Sequence, residues 1–127
     1  MLDVSVVIPT YNCQQYIYQA IQSALGQAVS EVIVIDDGST DDTQSIVKQL
    51  DCSRLRYIFQ RNQGVSAARN YGIDSASGQL IAFLDADDYY LPGKIEQQVA
   101  LFEATPERGL VQSGWQKVDE SGQPLGA

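Results

Sequence analysis

EVIVIDDGSTDDT, residues 31–43, contains the pattern that decides the fold. Its apolar run from Val32 to Ile35 is rich in β-branched residues and predicts a buried strand. The turn signal DDGS closes that strand, and Ser39 with Asp42 three residues later resembles a capping box at the start of a helix. A strand that passes through a polar turn into a helix is the repeating unit of a parallel α/β sheet.

The same strand-then-helix pattern occurs four times along the chain. Strands are predicted at residues 3–9, 32–35, 54–59 and 81–84, and helices at 17–28, 39–50, 64–76 and 92–102. The inner helix faces are predicted to carry Ile17, Ile21, Ala24, Leu25, Ala28, Thr43, Ile46, Val47, Leu50, Val65, Ala68, Gly72, Ile73, Ala76, Ile95, Val99 and Phe102. Continuous apolar strands between amphipathic helices predict a Rossmann-like, three-layer α/β/α fold with a mostly parallel sheet covered on both faces. A further strand and the start of a return strand are predicted within 109–127.

Length, charge and residue types exclude several classes of protein. The 127 residues suffice for one domain with a core, and a net charge of −8 argues against nucleic acid as a partner. The absence of histidine excludes His-based triads and the common His-containing zinc sites. Cys13 and Cys52 predict free thiols in a reducing cytoplasm. No apolar run is long enough for a transmembrane helix, and the first residues do not resemble a signal peptide, so no membrane segment is expected in this chain.

Polar residues follow each of the predicted strands. These stretches are Pro9-Thr10-Tyr11-Asn12, Asp36-Asp37-Gly38-Ser39, Arg61-Asn62-Gln63-Gly64 and Asp85-Ala86-Asp87-Asp88. Ligands of open α/β sheets bind outside the carboxyl ends of the strands, where all such loops lie along one edge. The sequence therefore predicts a single polar rim that combines an aromatic ring, amides, hydroxyls and carboxylates.

Several of these groups suit a nucleotide. Tyr11 offers a ring for stacking on a base, and the alternative is that it covers the end of the first helix. Asp36 or Asp37 could accept hydrogen bonds from a base or a ribose. Asp41 and Asp42 are interpreted as turn and helix-cap residues.

Three carboxylates, Asp85, Asp87 and Asp88, follow the fourth predicted strand within four residues. Their repulsion beside a core would raise their pKa values unless a positive charge offsets it. Because Mg²⁺ and Mn²⁺ bind one or two carboxylates together with phosphate oxygens, a dication shared with a diphosphate is predicted at Asp85 and Asp87. Asp88 is assigned instead to the positive end of the next helix. Arg69 is suited either to a phosphate or to pairing with an aspartate.

The segments VSVVIPTYN, VIVIDDGSTDDT, NQGVSAARNYGI and FLDADD together resemble family 2 glycosyltransferases of the GT-A fold. Their order and spacing fit that family, and the resemblance covers nearly all of the chain. It implies that residues 1–127 form a nucleotide-sugar-binding domain that is a fragment of a longer catalytic domain, truncated at its C-terminus.

The resemblance also implies roles for individual residues. The nucleoside pocket would be lined by Pro9, Thr10, Tyr11 and Asn12, with Asp36 or Asp37 on the base and Arg69 and Asn70 at the border of the nucleotide. Asp85, Ala86 and Asp87 would form the Asp-x-Asp motif, with Asp87 the nearest ligand of Mg²⁺ or Mn²⁺ and Asp85 nearer the ribose or sugar. The donor would be a nucleotide-sugar, most often a UDP-sugar, and the acceptor a saccharide, lipid or protein. Transfer would be inverting, with a cation neutralising the leaving diphosphate and a carboxylate base taking the acceptor's proton.

One part of the family pattern is missing before Ala127, since no residue there is a convincing catalytic base. Asp119 and Glu120 are interpreted as solvated turn residues. The chain by itself is therefore expected to bind donor weakly and to be inactive. An exposed sheet edge or apolar patch, with Trp115 a candidate, would favour a homodimer. The full-length enzyme is expected in the cytoplasm, with membrane association an open alternative.

Two other classes of function compete with this interpretation. A sugar-phosphate nucleotidyltransferase needs a glycine-rich, basic loop after the first strand, but PTYNCQQY contains no Gly, Lys or Arg. A non-catalytic Mg²⁺-binding receiver domain places an aspartate after the third strand, which here ends IFQRNQG. A dinucleotide fold is disfavoured because no G-x-G-x-x-G follows the first strand.

Overall fold

The computed structural model describes residues 2–105 and residue 109. The strands and helices are β1 (Val4–Thr10), α1 (Ile17–Leu25), β2 (Glu31–Asp36), α2 (Thr43–Lys48), β3 (Leu55–Phe59), α3 (Val65–Ser75), β4 (Leu80–Phe83) and α4 (Lys94–Ala104). The predicted alternation is confirmed, with element ends shifted by one to several residues. The predicted strands within 110–127, with Trp115, Asp119 and Glu120, lie outside the described residues.

The described strands form one sheet in the order β3-β2-β1-β4. Each neighbouring pair in this sheet is parallel. Both β1 and β2 are buried along their whole lengths, as their continuous Val and Ile runs predict. The predicted α/β class with a parallel sheet is confirmed.

Helices cover the two faces of the sheet unequally. On one face, α1, α2 and α4 enclose the main core, which includes Val6, Ile8, Ile21, Val34, Val47 and Val99. On the other face, α3 packs on β1 and β2 over a smaller cluster formed by Val7, Ile33, Ile35 and Ala68. Val65 and Ile73, which were predicted to point inward from α3, are 51% and 42% exposed because this helix lies over only part of the sheet.

The close approach of α3 to β1 depends on a glycine. A β-carbon built on Gly72 would lie 2.3 Å from Cγ1 of Val7, well inside van der Waals contact. Since Val7 is fully buried and its branched side chain has little freedom to turn away, only a residue without a side chain fits there. Gly72 therefore sets the distance of α3 from the sheet.

The predicted capping box at α2 is wrong. The N-cap residue is Asp42, which makes no side-chain capping bond. The Ser39 hydroxyl oxygen instead accepts the backbone N–H of Asn12 at 2.8 Å, because the loop after β1 lies against the loop after β2. The Ser39 hydroxyl, which the sequence predicts to cap α2, therefore holds the loop after β1 instead.

Two expectations about the whole chain can be compared with the described residues. No helix among them combines the length and the apolar character needed to cross a membrane. Cys13 and Cys52 are free thiols, as predicted.

Candidate functional site

The strand order places a crevice between two particular loops. From β1 the chain passes through α1 to β2 on one side of β1, and from β3 it passes through α3, on the opposite face of the sheet, to β4 on the other side of β1. Such a topological switch point is where open α/β sheets bind ligands. Because all four described strands are parallel, the polar loops that follow them lie on one edge of the molecule, as predicted.

Asn12 holds the loop after β1 against the loop after β2. Its backbone is in the left-handed region, with φ of 50°, which asparagine tolerates better than most residues. Its side-chain oxygen accepts the N–H of Thr40 at 2.8 Å and the N–H of Asp41 at 3.3 Å. Gln14 adds a third link by accepting the N–H of Asp42 at 3.0 Å. The Asn12 side chain is therefore occupied in fixing the loop that carries Tyr11.

Asp37 joins the loop after β2 to the loop after β3. Its carboxylate accepts the amide of Gln60 at 2.7 Å and the backbone N–H groups of Gln63 at 2.7 Å and Gly64 at 3.0 Å. Burial alone raises the pKa of Asp37, but these hydrogen bonds outweigh it and lower the pKa below its usual value. Asp37 thus fixes the chain at the start of α3, and three consecutive loops form one connected rim.

Asp36 is fully buried at the end of β2. Its carboxylate accepts the Tyr57 hydroxyl at 2.5 Å and the Ser39 N–H at 2.8 Å. Burial and the neighbouring Asp36 charge raise the pKa of Tyr57, so this phenol remains a donor. The role of Asp36 or Asp37 in holding a base stays a prediction, and the structure shows that both carboxylates already serve the rim.

The remaining residues predicted for a nucleoside pocket differ in exposure. Pro9 and Thr10 are buried at the end of β1, whereas Tyr11 is 49% exposed in the loop that follows. The buried Thr10 hydroxyl has no hydrogen-bond partner among the described residues, an arrangement that costs about 1–3 kcal/mol. Ala86 packs into the main core, so contact with a ligand would involve its main chain. Asn70 is exposed on α3.

The acidic loop after β4 is anchored to α1 and the turn after it. The Ser23 hydroxyl oxygen accepts the N–H of Tyr90 at 3.0 Å. Gln27 is buried, donates to the carbonyl of Leu91 at 3.0 Å and accepts the N–H of Ile95 at 3.0 Å. Among the described residues, no hydrogen bond joins this loop to the loop after β1. The crevice between the two loops is therefore not closed by such bonds.

The carboxylates of Asp85, Asp87 and Asp88 form an exposed cluster in which one oxygen of each lies within 4.8 Å of the others. Burial raises the pKa of Asp88, and the charges of Asp87 and Asp85 raise it further. The repulsion predicted from the sequence is thus present at Asp88. Asp88 lies with the other two carboxylates, and the charge of Lys94 at the start of α4 acts to lower its pKa, so its assignment to the next helix stays a prediction.

Two cationic side chains lie beside this cluster. Arg69 Nη2 is 3.3 Å from Asp85 Oδ1, so the aspartate-pairing alternative is the one observed. The Lys94 ammonium lies 4.5 Å from the centre of the Tyr90 ring. Burial lowers the pKa of Lys94 and the nearby Asp88 charge opposes that shift. The positive charges partly offset the repulsion among the carboxylates.

Sequence reasoning missed several residues that build the site. These are Ser23 in α1, Gln27 in the turn after it, Tyr57 in β3, Gln60 directly after β3, and Lys94 at the start of α4. Only Lys94 had a local signal, as the first basic residue after three clustered acids. The other contacts join residues more than 20 positions apart, which no local pattern specifies.

This architecture and its rim define a glycosyltransferase domain of the GT-A type, as comparison with solved structures shows. S. aureus TarS (residues 1–349) in complex with UDP superposes with a TM-score of 0.71 at 28% identity, over 88% of this chain and 39% of that one. The mannosyltransferase PcManGT from Pyrobaculum calidifontis, in complex with GDP-Man and Mn²⁺, shares the fold with a TM-score of 0.72 at 24% identity, over 80% of this chain and 34% of that one.

The chain belongs to glycosyl transferase family 2, whose family model matches residues 5–124. It is 42% identical over 103 residues to UDP-Glc:alpha-D-GlcNAc-diphosphoundecaprenol beta-1,3-glucosyltransferase WfaP of Escherichia coli, covering 79% of this chain and 41% of that protein. The chain spans less than half the length of the curated relatives it matches. The family and the fold class predicted from the sequence are both confirmed.

Proposed function

We propose that this chain is the donor-binding part of an inverting glycosyltransferase that moves a sugar from a UDP-sugar to an acceptor hydroxyl. The observation that carries the proposal is that β1 and β4 are parallel neighbours, so the loop with Tyr11 and the loop with the acidic cluster follow adjacent strands at one edge of the sheet. Support comes from a relative whose name specifies UDP-glucose and from the UDP complex of TarS. The acceptor would be a saccharide, lipid or protein bound mainly by parts of a longer catalytic domain.

The ligand atoms that the acidic cluster offers fit a divalent cation. Asp85, Asp87 and Asp88 supply only carboxylate oxygens, which Mg²⁺ and Mn²⁺ prefer, and their exposure leaves room for phosphate oxygens and water. The repulsion that raises the pKa of Asp88 is relieved by a doubly charged ion. We assign Asp87 as the nearest ligand and Asp85 as the ligand that also faces the ribose or sugar.

The chain's own residues would bind and orient the donor. Tyr11, on a loop fixed by Asn12, would stack on the base, while Thr10 would line the nucleoside pocket and Asn70 would border the nucleotide. Asp36 and Asp37 hold the rim in shape through their hydrogen bonds, and Asp36 or Asp37 would in addition accept a hydrogen bond from the base. A bound cation would supply charge neutralisation for the leaving diphosphate. The acceptor's proton would pass to a carboxylate outside the described residues.

Binding of UDP with Mn²⁺ tests this proposal directly. We expect UDP plus Mn²⁺ to raise the melting temperature of the chain, with a stabilisation of about 2.7 kcal/mol at a ligand concentration 100 times the Kd. Asp87→Asn should remove the effect of Mn²⁺ on UDP binding. Asp74→Asn is the matched control, because Asp74 is exposed on α3 outside the acidic cluster. If UDP does not stabilise the wild-type chain with or without metal, the uridine assignment is wrong.

A further inference from the structure

Arg69 lies on α3 with its guanidinium beside the acidic cluster. It lies in α3, whose first residues follow directly from the rim loop fixed by Asp37. Its guanidinium Nη2 is 3.3 Å from Asp85 Oδ1, and the two side chains are 41% and 53% exposed. An ion pair this exposed is weak, typically worth no more than about a fivefold change in an equilibrium constant. The pair can therefore break when a better partner arrives.

We propose that Arg69 makes cation binding and diphosphate binding cooperative by exchanging one partner for the other. Without ligand, Arg69 pairs with Asp85 and supplies part of the positive charge that the acidic cluster requires. When the cation takes Asp85, Arg69 is released and its guanidinium pairs with the diphosphate. This inference rests on the proposed function, because it requires that a cation and a nucleoside diphosphate share the crevice.

The chemistry of the two cationic side chains explains why the exchange is assigned to Arg69. An arginine stays charged, so it cannot leave the carboxylate by losing its proton. Its planar fork of N–H donors matches phosphate oxygens as well as carboxylates. Lys94 has a different setting, since its ammonium lies over the ring of Tyr90, a residue held by Ser23. Lys94 therefore stays as a fixed counter-charge for Asp88 while Arg69 moves.

The exchange has a thermodynamic signature. Arg69 opposes the cation in the absence of nucleotide, because a unit positive charge lies a few ångströms from the site of a dication. It favours the cation when a diphosphate is present, because the released guanidinium gains a partner. By linkage, UDP and Mn²⁺ must then increase each other's affinity by the same factor. The repulsion between the guanidinium and a dication a few ångströms away is screened by water and salt, and it corresponds to about a three- to tenfold change in the affinity for the cation.

The test measures Mn²⁺ binding by electron paramagnetic resonance, with and without saturating UDP, on the full 127-residue chain. We expect Arg69→Gln to bind Mn²⁺ alone about three- to tenfold more tightly than wild type and to lose most of the increase that UDP produces. Arg69→Lys keeps the charge without the fork, so it should restore the wild-type affinity for Mn²⁺ alone. Lys48→Gln is the control for net charge, because Lys48 is exposed at the end of α2 and its ammonium lies 6.0 Å from the centre of the Tyr57 ring, at the outer limit of a cation–π contact.

The possible outcomes distinguish a failure of the Arg69 exchange from a failure of the proposed function. Tighter binding of Mn²⁺ alone by Arg69→Gln, with a reduced UDP effect and no change in Lys48→Gln, supports the exchange. Unchanged or weaker binding of Mn²⁺ alone by Arg69→Gln overturns it while leaving donor binding intact. If the wild-type chain binds neither Mn²⁺ nor UDP, the proposed function fails and the exchange fails with it. Measuring melting temperatures of the variants in the same buffer excludes unfolding as a cause.

Discussion

Glu31 provides a stabilising carboxylate at the amino end of the sheet, far from the candidate site. It is 8% exposed and accepts hydrogen bonds from the Ser5 hydroxyl at 2.6 Å, the Ser77 N–H at 2.7 Å and Arg56 Nη1 at 3.0 Å. Burial by itself raises the pKa of Glu31, but these bonds outweigh it and lower the pKa from 4.5 to about 2. A shift of that size corresponds to about 3 kcal/mol of stability at neutral pH.

The sign of the pH dependence follows from the direction of the shift. Because the folded state holds the Glu31 carboxylate in its ionised form, its contribution is complete above about pH 4.5 and is lost as the pH falls towards about 2. We therefore expect Glu31→Gln to lower the free energy of unfolding by about 2–3 kcal/mol at pH 7. The difference between variant and wild type should shrink steadily below pH 4.5.

Urea unfolding of both proteins between pH 7 and pH 3, followed by circular dichroism, measures this difference. Glu103→Gln is the matched control, because Glu103 is exposed on α4 and forms no ion pair with the described residues. A destabilisation by Glu31→Gln that is equally large at pH 3 and pH 7 would show that packing, and not the ionised carboxylate, is responsible. If Glu31→Gln lowers the free energy of unfolding by less than about 1 kcal/mol at pH 7, the inference that the lowered pKa of Glu31 stabilises the fold is wrong.

Two further predictions concern packing and the anchoring of the acidic loop. Gly72→Ala should lower the free energy of unfolding by about 1–3 kcal/mol in thermal melts, because the new methyl group meets Val7. Gly109→Ala should have little effect in the same melts, because a β-carbon there meets no atom of the described residues within 4 Å. Gln27→Met removes two hydrogen bonds that hold the acidic loop, so it should cost about 1–3 kcal/mol and weaken Mn²⁺ binding in the folded protein. A Gln27→Met protein with wild-type Mn²⁺ affinity would show that this anchor does not position the carboxylates.

Much of the fold can be predicted because it depends on local pattern. The β-branched run from Val32 to Ile35 is a strand for reasons of residue shape, and the polar turn that follows must leave the sheet at its carboxyl end. Since the helices between strands enforce parallel pairing, the shared rim follows without any knowledge of strand order.

The parts that could not be predicted depend on contacts between distant residues. Tyr57 and Gln60 donate hydrogen bonds to Asp36 and Asp37, and they lie 21 and 23 positions away from them in the sequence. No local sequence pattern therefore reveals that these carboxylates hold the rim together. The exposure of Ile73 depends on where α3 lies across the sheet, and its helical spacing does not reveal that position. The three motif carboxylates are an exception, because their crowding and its effect on Asp88 follow directly from the sequence DADD.

The loops after β1, β2 and β3 are bonded to one another, whereas the acidic loop is bonded to α1. Apart from the exposed Arg69–Asp85 pair, the acidic loop and the loop carrying Tyr11 are therefore held by different contacts. We therefore expect a substitution near Gln27 or Tyr90 to move the acidic loop while the loop carrying Tyr11 keeps its geometry. We expect preference for the donor's sugar and preference for its base to vary independently in engineered libraries of this chain.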